Sequence, residues 1–153
     1  MHFNIVEIST THVPARQTRR ELAVYEDTLL LSRSDWFGLP VDDYPGALEN
    51  IQHALRPIAS VNLKRRTLRF HSRKAVARTY ARFLNEAHRK HNADLRKGVC
   101  RHWELRRCVD NICDIDDLFY NGYCQTAGGL VEDYLNGHLP RILHIGTIID
   151  AHS

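Results

Sequence analysis

No apolar run in the sequence approaches the ~20 residues that a helical membrane span requires, which argues against a chain threaded through a bilayer. The amino-terminal Met1-His2-Phe3-Asn4-Ile5-Val6-Glu7 has no basic stretch followed by an apolar one, so no secretory signal is expected. There are four cysteines, and without such a signal they are expected to be reduced thiols in a cytoplasm. None of them forms the C-x-x-C knuckle that makes a zinc ribbon recognisable. Gly128-Gly129 fits neither the G-x-x-x-x-G-K phosphate loop nor the G-x-G-x-x-G dinucleotide fingerprint. Internal repeats, low-complexity tracts and flexible linkers are missing as well. These absences leave no catalytic signature, and neither an enzyme nor a cofactor is expected.

What is present is an ordinary globular composition over 153 residues, 43% hydrophobic and 25% charged. That suits one soluble domain spanning residues 1–153, long enough to bury a core. The net charge is only +3, but it is unevenly distributed. Lys64 to Arg107 holds 15 of the 21 Lys and Arg residues and three acids, a local +12 that leaves −9 for the remainder. Such asymmetry points to a partner of opposite sign, either phosphate or an acidic protein.

Taken in order, residues 2–9 alternate too little for a half-exposed strand and read as a largely buried one. Thr18-Arg19-Arg20-Glu21 has capping-box spacing and would open a helix carrying Leu22, Tyr25, Leu29 and Leu30. Residues 32–44 read as a loop with Trp36 and Phe37, and Pro45 suits the first turn of a second helix with Leu48, Ile51 and Leu55 inward. Residues 58–71 read as a β-hairpin turning at Lys64-Arg65-Arg66. Ser72 is a good N-cap for a long amphipathic helix over 73–91, with Val76, Tyr80, Phe83, Leu84 and Ala87 on one arc. A break is expected at Asn92-Ala93-Asp94, then a helix over 95–112 with Val99, Trp103 and Cys108 inward. A further helical stretch over 114–135, weakened by Gly122 and Gly128-Gly129 and so one helix or two, would be stopped at Asn136-Gly137. The tail is β-rich, with Gly146 marking a bulge or a turn between two short strands. The expected fold is therefore α+β: a helix-rich domain whose small, mostly antiparallel sheet combines the N-terminal strand, the central hairpin and the C-terminal strand, with helices on a single face.

Lys74, Arg78, Arg82 and Arg89 fall opposite the apolar arc of the long helix, and Lys64, Arg65 and Arg66 are expected nearby on the hairpin turn. A solvated helix face normally mixes signs through i,i+4 pairs, whereas this one carries almost no acids. Guanidinium groups also favour bidentate contact with phosphate or carboxylate. These seven residues are the expected partner-binding set. Should a metal be held, Cys100, His102, Cys108 and Cys113 would be its ligands, although burial of small thiols in a core explains them as well. The acids Asp110, Asp114, Asp116 and Asp117 lack the regular spacing of a calcium loop and suit a helix N-terminus. Trp36, Phe37, Leu39 and Tyr44 crowd one segment, and with a β-rich terminus leaving an edge strand they suggest a homodimer.

From Met1-His2-Phe3-Asn4-Ile5-Val6-Glu7-Ile8-Ser9 to Thr147-Ile148-Ile149-Asp150-Ala151-His152-Ser153, the chain resembles the larger anti-CRISPR proteins that act on type I-F systems. The resemblance lies in full length and general character and transfers no site residue. It implies a phage or mobile-element protein in a bacterial cytoplasm that binds a type I-F surveillance complex or its nuclease and blocks DNA capture or cleavage. The other readings of the same residues are a nucleic-acid-binding regulator using the 73–91 helix and a zinc- or histidine-dependent enzyme.

Overall fold

A computed structural model describes residues 2–13 and 36–152. The helix expected from Thr18 onward lies outside the described residues. The remainder is an α+β domain built on one mixed sheet, in which a single pairing is parallel. Its strands are β1 (His2–Ser9), β2 (Trp36–Pro40), β3 (Ala59–Asn62), β4 (Thr67–Phe70), β5 (Leu118–Tyr120), β6 (Cys124–Gln125) and β7 (Ile142–His152). The described helices are α1 (Tyr44–Leu55), α2 (Arg73–Arg96), α3 (His102–Asp110) and α4 (Ala127–Asn136).

β7 is the axis of the sheet. Along one side it pairs antiparallel with β1, from His2↔His152 to Ser9↔His144. Along the other it pairs with β4 at its start (Leu68↔Leu143) and with β2 at its end (Phe37↔Ala151). β5 lies parallel to β1, with Ile5 opposite Leu118. The expected loop over 32–44 thus contains a strand, and the C-terminal strand is no edge, because it is paired on both sides.

Gly146 marks a bulge inside one continuous strand, not a turn between two. Between Val6↔Ile148 and Ile8↔Ile145 the register slips, so two steps on β1 face three on β7. Two side chains satisfy the displaced backbone: the Thr147 N–H donates to Glu7 Oε2 at 2.9 Å, and the Tyr44 hydroxyl donates to the Gly146 carbonyl at 2.6 Å. A Cβ on residue 146 would fall 2.1 Å from that Glu7 oxygen and 2.6 Å from a Val13 methyl. Only glycine lets the carboxylate reach the bulge.

Alternation along the strands feeds two apolar clusters. Val6, Ile8, Leu68, Phe70, Phe119, Leu143, Ile145 and Ile148 join Leu48, Ile51 and Leu55 of α1, Val76 and Tyr80 of α2, and Leu130, Val131 and Tyr134 of α4. Ile5, Leu118, Cys124, Ile149 and Ala151 form the second cluster. Three of the described helices, α1, α2 and α4, thus share one side of the sheet, and α3 packs against α2 and α4. Each well-formed helix start has its cap, since Asp43, Ser72 and Thr126 accept from Gly46, Ala75 and Gly129. Gly137 ends α4 in the left-handed conformation, the usual glycine stop.

Three expectations for the middle of the chain are corrected. Asn92-Ala93-Asp94 does not break α2, which runs on to Arg96, because none of the three residues removes a backbone donor or clashes within a helix. The next helix is confined to His102–Asp110, and Val99 and Trp103 point outward, at 37% and 62% exposure. The helix expected over 114–135 is in fact a 3-10 turn (Ile112–Asp114), the strands β5 and β6, and α4. Leu118-Phe119-Tyr120 is drawn into the sheet by β1, a partner more than a hundred residues away.

Candidate polyanion-binding site

The hairpin positions its cations by register. Asn62 faces Thr67, which faces His144, and Ser60 faces Arg69, which faces Ile142. Side chains alternate across a strand, so these two cross-strand rows stand together on the face away from Val61, Leu68 and Leu143, which are buried. They floor a groove of about 870 Å³, walled by Lys64, Arg65, Arg66 and His12. Among the described residues four cations and two imidazoles line it, and no carboxylate does.

Arg66 is the fixed member. Its backbone is left-handed, at φ 50°, a region in which a residue bearing a Cβ is disfavoured by about 1–2 kcal/mol. Its carbonyl accepts from the Ile145 N–H at 2.8 Å, tying the turn to β7. The half-buried guanidinium lies 3.4 Å from the Ile145 carbonyl and 3.0 Å from His12 Nε2. Guanidinium has no lone pair to offer, so His12 Nε2 must be the acceptor and His12 neutral in this arrangement. The His12 and His144 rings meet edge to face, with centroids 6.0 Å apart. His144 Nδ1 is buried without a hydrogen-bond partner. Tyr44 lies behind this corner; burial pushes its hydroxyl above the ordinary tyrosine range, against the lowering effect of Arg66.

The structure divides the expected partner-binding set. Lys64, Arg65 and Arg66 line the groove, whereas Lys74, Arg78, Arg82 and Arg89 do not. Those four are exposed along α2, which begins at the end of β4 remote from the turn. Among the described residues none of the four forms an ion pair, and Arg82 lies over the Phe83 ring at 5.7 Å. Missing from the expected set were Arg69, His12 and His144. The strand alternation placed Arg69 opposite Leu68 and Phe70, which could have revealed it. The histidines come from opposite ends of the chain, and only the β1–β7 pairing unites them.

The possible metal ligands are not brought together. Cys100 is exposed, Cys108 is half-buried and Cys113 is in the core. Among the described residues no group of three or more His, Cys, Asp or Glu side chains could hold a metal ion. Burial pushes the Cys113 thiol up to about 11, which keeps it protonated and unreactive at neutral pH. The acids disperse too, since no helix begins at Asp114 or Asp116. Asp110 pairs with Arg106 at 3.8 Å, Asp116 accepts from the Asn111 amide, and Asp117 accepts from the Asn4 N–H at 2.8 Å. Tyr44, one member of the segment on which the homodimer expectation rests, begins α1 and packs on the chain's own core.

Comparison with protein-family profiles, with curated proteins and with solved structures returns no match for this chain.

Proposed function

We propose that the chain is a non-enzymatic binding protein that inhibits a type I-F surveillance complex by occupying a polyanionic surface of that complex. The observation that carries this reading is the hairpin groove, where Lys64, Arg65, Arg66 and Arg69 converge with His12 and His144 and, among the described residues, no acid lines the wall. An RNA-guided complex offers nucleic-acid backbone as a ligand, and forked guanidinium groups suit phosphate oxygens. The exposed cations of α2 extend the positive field beyond the groove and would speed encounter with such a target. The resemblance supplies the setting, a bacterial cytoplasm invaded by a phage or mobile element. The same groove also favours a second reading, a nucleic-acid-binding regulator that acts on bare DNA.

Size-exclusion chromatography of the protein mixed with a purified type I-F complex, and separately with duplex DNA, distinguishes the two. Co-elution with the complex, together with loss of target-DNA cleavage, is the expected outcome. Co-elution with bare duplex alone would move the assignment to the regulator. Association with neither would dismiss both.

A further inference from the structure

The groove carries more detail than its charge. It is a concavity formed between a hairpin and the segment that follows β1, and its volume is that of a pocket for a small molecule or a few linked units. A duplex is read by an element that protrudes into one of its grooves, and this surface recedes. Its floor offers hydroxyl and amide groups from Ser60, Asn62 and Thr67, the exposed side of Ile142, and two imidazole faces. Imidazole and guanidinium planes are surfaces on which an unpaired base can stack. Arg66 is held in a disfavoured backbone conformation, and strain of this kind persists where a side chain must be aimed. Its contact with His12 Nε2 lies on the groove side, where an incoming anion can replace it.

We infer that the Arg66–His12–His144 corner is a phosphate subsite and that the groove takes the sugar–phosphate backbone of a single nucleic-acid strand. Arg66 supplies the fork. His144 lines the same corner beside the His12 ring. Lys64, Arg65 and Arg69 meet the neighbouring phosphates along the groove. Among the described residues no Phe, Tyr or Trp lines it, so recognition there depends on the backbone and tolerates any sequence. This rests on the groove being the contact surface, but not on which assembly presents the strand.

Fluorescence anisotropy of the full chain with labelled oligothymidylate of about twelve nucleotides, within the span of known single-strand sites, tests the inference against a duplex of equal length. The single strand should bind more tightly than the duplex. Its affinity should fall with salt, at a log–log slope of about −0.7 per phosphate engaged. Arg66→Lys keeps the charge but loses the fork, and should weaken binding about tenfold. Arg65→Ala with Arg69→Ala should do the same from two exposed positions that bear on no packing. That pair decides the matter if Arg66→Lys lowers the melting temperature. Duplex binding as tight as the strand's, or groove variants that bind like the parent, would overturn the inference. Strand binding without association with the type I-F complex would remove the inhibitor reading and leave the subsite standing. Association with the complex but no strand binding would do the reverse.

Discussion

Asp117 follows Asp114 and Asp116 in a segment whose acids read as suiting a helix N-terminus, yet its carboxylate is drawn against β1. It accepts from the Asn4 N–H at 2.8 Å and lies 3.4 Å from the Asn4 amide nitrogen. Burial nevertheless holds its carboxyl above the usual carboxylate range, outweighing the lowering effect of those hydrogen bonds. The folded state therefore binds this proton more tightly than the unfolded chain does. The stabilisation is full below the unfolded value near 3.8 and is lost as pH rises through the higher folded value. Asp117→Asn keeps an acceptor for the Asn4 N–H and removes the charge. It should match the parent in acid and exceed it at neutral pH, as urea midpoints between about pH 3 and about pH 7 would register. A variant weaker than the parent at neutral pH would mean that the ionised oxygen is worth more to the Asn4 amides than its burial costs.

At the scale of elements, the local signals were legible and the long-range ones were not. Ser72 before an apolar arc, Pro45 after Asp43, and alternation on both sides of Lys64-Arg65-Arg66 each identify their element, because cap, helix and hairpin close within a few residues. β5 was invisible for the opposite reason. Leu118-Phe119-Tyr120 is too short to show a period, and the partner that makes it a strand is β1, far away in sequence. The groove was half legible on the same grounds: the turn cations announced themselves, while His12 and His144 waited on the β1–β7 register. Gly128 was misread in an instructive way. It looked like a weak point in a helix, but it sits where the start of α4 meets the end of α3. A Cβ there would lie 2.3 Å from the Val109 carbonyl oxygen, whereas one on Gly129 would meet the Gln125 Cβ at 3.3 Å. Gly128→Ala forces one backbone away from another and should cost about 2 kcal/mol or more. Gly129→Ala should fall within about 1 kcal/mol of neutral, because alanine's gain in helix propensity offsets mild crowding. Chemical denaturation of the two variants side by side checks the contrast, and equal losses would count against the close contact.

For the whole molecule, the two-signed charge becomes two separate basic surfaces. Of the three acids within the basic segment, Glu104 is placed to bridge Lys90 at 3.9 Å and Arg101 at 3.1 Å, joining α2 to α3. Neither Lys64 to Arg69 on the hairpin nor Lys74, Arg78, Arg82 and Arg89 on α2 has a carboxylate partner among the described residues. A concave cluster with a half-buried, oriented guanidinium can grip a ligand, whereas exposed cations on a convex helix mainly supply a field. Reversing Arg78, Arg82 and Arg89 to Glu should leave the fold intact, since exposed substitutions cost under about 0.5 kcal/mol each. Partner association should slow and become less sensitive to salt, because rim charges act chiefly on encounter. Reversing Lys64, Arg65 and Arg69 should instead abolish binding, replacing attraction with repulsion inside the groove. Stopped-flow association and equilibrium titration of both triple variants, at two ionic strengths, separate rate from affinity. If the helix variant loses binding entirely and the hairpin variant keeps it, α2 is the gripping surface and the groove is not.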